Sequence, residues 1–221
     1  MRKRLVSAIA AITLCGTLAM ADTKGVETYH LLFRTGTLDA MPAGAALVYR
    51  RDVENSLLPQ AAERDSGRII VGTGPEDDVV MTFEQGDKRR LIGTFPASIG
   101  NPMIMYFVET VARDMAETAG GSPFYIRNRL KEALVRSAEV HEVQAAFDGH
   151  GVEAQTLTLR PFEHDPNRQR MYGFADIALT VTMSDDVPGW YHTLRAEVPG
   201  TEDGGPVYVS TVMLTAVEGG E

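Results

Sequence analysis

The chain has 221 residues, 44% hydrophobic and 23% charged, and a net charge of −9 at pH 7. That acidity excludes general nucleic-acid binding, which needs Lys and Arg to neutralise phosphates. The one cysteine, Cys15, excludes a disulfide framework and a thiolate metal cluster.

The first elements in chain order are those of an export signal. Met1-Arg2-Lys3-Arg4 is a basic start, Leu5 to Ala19 is an uncharged apolar run, and Ala19-Met20-Ala21 is a small-x-small site before Asp22. The run is shorter than the ~20 residues a spanning helix needs. It reads as a cleaved signal peptide over 1–21, with no transmembrane anchor after cleavage and a periplasmic address. A lipid-modified cysteine would need a small residue before it, and Leu14 precedes Cys15. Cleavage removes the three basic residues Arg2, Lys3 and Arg4, taking −9 to −12, and removes the cysteine.

Residues 22–221 read as a single β-rich domain. From Thr28 to Phe95 the pattern has period two: Tyr29, Leu31 and Phe33; Ala45, Leu47 and Tyr49; Arg68 to Val71; Val79, Met81 and Phe83; and Arg89 to Phe95 after the Gln85-Gly86-Asp87 turn. Such runs, bounded by Gly, Pro and Asp, predict antiparallel strands. At Asn101 the period changes. Asn101 and Pro102 suit a helix start, and Ile104, Val108, Val111 and Met115 follow at helical spacing. Gly120-Gly121 ends this helix, and Ser122-Pro123 opens a second with Ile126, Leu130, Ala133 and Leu134 on one face. A helical hairpin over about 101–137 is expected. Strand patterning returns at Val140–Phe147, Val152–Leu159, Met171–Met183, Tyr191–Val198 and Val207–Val217, with Asp148-Gly149-His150-Gly151 as a hairpin turn.

The predicted fold class is α+β: a mainly antiparallel, curved sheet, half-barrel-like, with the helical hairpin packed on one face. By architecture and compartment alone, this resembles the half-barrel of periplasmic lipoprotein carriers; no motif residues carry the resemblance.

Familiar catalytic motifs are missing: no G-x-S-x-G, S-x-x-K, H-E-x-x-H or P-loop. Glu163-His164-Asp165 is the densest group of metal-capable side chains, yet a shell needs a second element. It reads as a solvated loop, so neither a metal site nor a cofactor is implied. The helical hairpin carries the more specific signals. Its opening, Met103 to Val108, is apolar nearly all round, unlike an ordinary surface helix; either it is sunk in the core, the plainer expectation, or some of it meets a ligand, lipid or partner. Its second helix is basic, with Arg127, Arg129, Lys131 and Arg136, and Lys88, Arg89 and Arg90 form another basic cluster at a hairpin. Should the two adjoin, they make a positive patch on an acidic protein; internal pairing with local carboxylates is the plainer expectation.

The expected function is a non-catalytic, exported binding or carrier domain for an apolar or amphipathic ligand, such as a lipid or lipoprotein. An apolar cavity between sheet and hairpin would be walled by Met105, Tyr106, Val108, Met115, Phe33 and Phe83, with Leu31, Met81, Ile177 and Leu179 as further wall candidates. Arg127 and Lys131 would meet the ligand's polar end or a partner. One alternative is an envelope-assembly module that pairs with a protein partner through a sheet edge. A second is a metal-dependent hydrolase using His164 or His192.

Overall fold

The computed structural model describes residues 20–74, 78–200 and 205–220. Residues 1–19 of the expected signal peptide lie outside them, as do Glu76-Asp77 and the middle of the turn between Gly200 and Pro206. Among the described residues the strands are β1 Ala46–Asn55, β2 Gly67–Thr73, β3 Asp78–Gln85, β4 Lys88–Pro96, β5 Val140–Phe147, β6 His150–Leu159, β7 Ala178–Met183, β8 Tyr191–Val198 and β9 Tyr208–Glu218. The helices are α1 Met20–Leu32, α2 Pro59–Asp65, α3 Met103–Ala119 and α4 Pro123–Ala133.

All nine strands form one antiparallel sheet in the order β4-β3-β2-β1-β9-β8-β7-β6-β5. Two meanders, β1 to β4 and β5 to β9, are sewn together where β1 pairs with β9 from Ala46↔Glu218 to Asn55↔Tyr208. The sheet is curved and unclosed, as expected, with β4 and β5 at its two edges. Register shifts at Val48/Tyr49, Met81/Thr82 and Thr182/Met183 are the bulges that bend it.

This order explains the hairpin. The chain leaves the sheet at one edge, β4, and re-enters at the other, β5. The connection therefore crosses the whole sheet, and α3 and α4 are that connection. On α3, Met103, Ile104, Phe107, Val108, Val111 and Met115 are buried, at the i, i+4, i+8 spacing of one helix face. Each such side chain contributes about 1.5–3 kcal/mol by leaving water. They meet the inward residues of β3, Val79, Met81 and Phe83, and of β8, Leu194, Ala196 and Val198, in one packed cluster.

Local signals set the helix ends. Asn101 Oδ1 accepts from Met103 N at 3.1 Å, so Asn101 caps α3 across Pro102, which stands one position outside the helix. Ser122 Oγ accepts from Tyr125 N, and Pro123 is the first residue of α4, as the sequence predicts. Asp148 and Gly149, at φ +50° and +76°, form a two-residue turn between β5 and β6.

Three expectations change. The alternation of Tyr29, Leu31 and Phe33 is helical: α1 runs to Leu32, Phe33 N donates to Tyr29 O at 2.8 Å, and the two rings stack with centroids 4.8 Å apart. Positions i and i+4 satisfy both periods over so short a run. The tertiary structure decides: Trp190 Nε1 donates to Leu31 O at 3.0 Å and Tyr191 OH donates to Leu32 O, satisfying carbonyls at the helix end. Second, Tyr172–Asp176 forms a short 3₁₀ turn, and the strand begins at Ala178. Ala175, Ile177, Leu179, Val181 and Met183 are all buried nonetheless. Third, α2 occupies a stretch that carries no periodic signal in the sequence. Asn55 Oδ1 accepts from Leu57 N and Leu58 N at 3.1 and 3.0 Å, turning the chain out of β1, and Pro59 opens the helix. Gln85 Nε2 then donates to Glu63 O and Ser66 O at 2.7 and 2.8 Å, closing its C-terminal end.

Candidate ligand groove

The space between sheet and hairpin is filled. Leu47, Ile69, Met81, Phe107, Val108, Val111, Leu157, Leu179 and Leu194 are at most 1% exposed, so no water-sized space opens onto them. Open depressions lie instead at the surface, among them one of about 620 Å³ around His164 and two beside the hairpin at the β4 edge. At that edge, a depression of about 570 Å³ is lined by Arg64, Asp65, Phe83, Gln85, Lys88, Arg89, Arg90, Arg113 and Glu117. A second, of about 550 Å³, is lined by Ile92, Tyr106, Glu109, Thr110, Ala116 and Arg127, and shares Arg90, Arg113 and Glu117 with the first. The two adjoin along these shared walls and make up the groove beside the hairpin, with β3 and β4 on one side and α2, α3 and the start of α4 on the other.

Strand register aims the β4 side chains. Phe83 pairs with Arg90, so Arg90 shares the inward face of Phe83 at the sheet edge, and its guanidinium lies 5.6 Å from the Phe83 ring centre. Helical spacing aims the others: Tyr106, Glu109, Arg113 and Ala116 repeat every three or four residues on the side of α3 turned from the core. The two basic clusters of the sequence do adjoin here, through Arg90 and Arg127. The lining carries six cations (Arg64, Lys88, Arg89, Arg90, Arg113, Arg127) and three carboxylates (Asp65, Glu109, Glu117), +3 in a chain of −9.

Pairing within the groove is uneven. Arg64 holds Glu117 in a two-pronged contact at 2.8 and 3.1 Å and Asp65 at 2.7 Å. Arg127 Nε is 2.6 Å from Glu109 Oε2, and Lys131 reaches the same carboxylate at 3.7 Å. Arg89 is 3.5 Å from Glu84. Arg113 approaches Asp65 and Asp114 at 3.7 Å each, beyond hydrogen-bond reach. Among the described residues, Lys88 and Arg90 have no carboxylate within 4 Å. Burial alone would raise the Asp65 carboxyl; the Arg64 hydrogen bond and the charges of Arg113, Arg51 and Arg64 overcome it and hold its pKa below the usual value. The Arg64 hydrogen bond lowers Glu117 likewise.

Beneath the groove lies a buried polar knot. Arg51, 1% exposed, contacts Asp114 Oδ2 at 2.5 Å, and Tyr208 OH donates to the same oxygen at 2.8 Å. Burial pushes the Asp114 carboxyl up, with Arg51 and Tyr208 drawing it back. Arg51 Nε and Asp114 Oδ1 are buried without a hydrogen-bond partner.

Of the residues expected to touch ligand, the groove brings together Phe83, Tyr106 and Arg127. Val108 and Met115 are within the core, at 0% and 1% exposure. Met105 is half-buried against that core, and Phe33 packs beside Tyr29 just after α1. Lys131 faces Glu109 from the next turn of α4. Arg90, Arg113, Ile92 and Ala116 also line the groove, and sequence patterning does not single them out as site residues. Arg90 stood within a noted basic cluster; the other three gave no sign in the sequence, because only the packing of α3 against the β4 edge joins them. His164 lies elsewhere, in a depression with His141, Glu139 and Glu163. His192 Nε2 is 3.0 Å from Ala146 O. Among the described residues, no three His, Cys, Asp or Glu side chains are placed to hold one metal ion, and no helix is long and apolar enough to cross a membrane.

No family model matches this chain, and no curated protein does. Among solved structures, the chain is similar to the Mycobacterium tuberculosis lipoprotein LppX, with 10% identity, 88% of this chain and 95% of that chain covered, and a TM-score of 0.33. A likeness at that level carries no weight for function.

Proposed function

We propose that this protein is an exported, non-catalytic binding or carrier domain that holds an amphipathic ligand in the groove between the β4 edge and the helical hairpin. One observation carries the reading: Phe83, Ile92, Tyr106 and Ala116 supply apolar wall in the same groove as six cations, on an otherwise acidic protein whose interior is filled. An apolar chain laid on that wall leaves water, and a polar end meets guanidinium donors. Arg127 and Phe124, whose ring centre lies 5.5 Å from the guanidinium, stand at the α4 end. The basic, apolar, small-x-small start of the chain supports export before the ligand is met.

The test is displacement of a fluorescent acyl probe from the purified protein. Saturable one-to-one binding is expected, weakened about tenfold by Tyr106→Ala or Ile92→Ser through lost apolar contact. Absence of saturable acyl binding, or binding indifferent to both substitutions, would overturn the reading.

A further inference from the structure

Resting on the reading above, we infer that the ligand's polar end is a phosphate monoester, held where the two arms of the groove meet by Arg90 and Arg113, with the Tyr106 hydroxyl as a third donor. The unused donors choose this position. Arg64 and Arg127 are taken by carboxylates at 2.8 Å or less. Arg90 and Arg113 line both arms; neither is hydrogen-bonded to a carboxylate, and both are exposed. Among the described residues, the Tyr106 hydroxyl has no hydrogen-bond partner. Two planar forks and a hydroxyl lining one depression offer more donors than a carboxylate's two oxygens accept. A phosphate monoester brings three terminal oxygens and about −1.5 to −2 charges, which matches them. It also offsets about half to two-thirds of the +3 of the lining, and Lys88, another lining cation, adds to the field that draws an anion in.

The experiment compares three probes of one acyl chain, ending in a phosphate monoester, a carboxylate and an uncharged glycerol, with inorganic phosphate alone as a fourth. The phosphate-ended probe is expected to bind about tenfold or more tighter than the glycerol probe, with the carboxylate between. In Arg90→Gln/Arg113→Gln the ratio of phosphate-probe to glycerol-probe affinity falls to about one. Arg170→Gln, an exposed arginine outside the groove, changes neither. Equal binding of the phosphate and glycerol probes, or a preference that survives the double substitution, overturns the inference and leaves the amphiphile reading standing. Binding of inorganic phosphate with the same arginine dependence, but of no acyl probe, upholds the phosphate subsite as one for a free anion and removes the amphiphile reading. Binding of no probe removes both.

Discussion

Arg51 and Asp114 show what a buried charge costs when it loses its partner. The pair is sealed beneath α3, and Tyr208 shares the carboxylate. Removing one partner leaves the other charge buried, whereas replacing the whole set by apolar groups does not. Arg51→Ala is therefore expected to destabilise the fold by about 3–5 kcal/mol, and Arg51→Met/Asp114→Leu/Tyr208→Phe to recover most of that, both read from urea unfolding. Asp65 gives a pH signature. Its folded pKa is depressed, so the stability it contributes is present above the unfolded value of about 3.9 and is lost as pH falls through the folded value. Between pH 6 and pH 2, wild type should lose more stability than Asp65→Asn; equal losses would contradict the ion-pair origin of the shift.

Elements show where sequence patterns suffice and where they do not. The α3–α4 hairpin is legible because its signals are local: a capping Asn101, the Gly120-Gly121 break and Ser122-Pro123 all act within a few residues. The β5–β6 turn is legible for the same reason. Helix α1 is not, because Thr28 to Phe33 fits both periods and its last carbonyls are satisfied by Trp190 and Tyr191, some 160 residues away. The same distant loop meets Asn101, whose Nδ2 donates to Tyr49 OH at 2.9 Å and to Gly189 O at 2.8 Å. Gly189 has φ +77°, and a Cβ there would stand 2.2 Å from Leu47 Cδ1. This buried knot joins α3, β1 and the β7–β8 loop. Asn101→Ala is expected to cost about 1–3 kcal/mol for each buried group left unpaired, and Gly189→Ala to destabilise through strain as well as overlap, both seen as lowered thermal midpoints.

At the scale of the whole molecule, the order of strands turns a sequence pattern into a site. The helical segment joins the two sheet edges, so it crosses one face and leaves a groove between α3 and the β4 edge. The apolar start of α3 suits either core packing or a ligand wall, and most of that run is core; the groove collects Tyr106 from it and cations from three other elements. No periodicity joins Arg90 to Arg113, so the site is legible only in its parts. Because its cations are exposed, binding of an acyl phosphate should weaken steeply as salt rises from about 0.01 M to about 1 M, where the screening length falls from roughly 30 Å to roughly 3 Å, while an uncharged probe should not weaken. The most direct measurement is a crystal structure of the protein with an acyl phosphate monoester bound. The phosphate is expected between Arg90 and Arg113, with the chain along Tyr106, Ile92 and Ala116. A chain buried between sheet and hairpin, or seated in the His164 depression, would contradict the assignment of the groove.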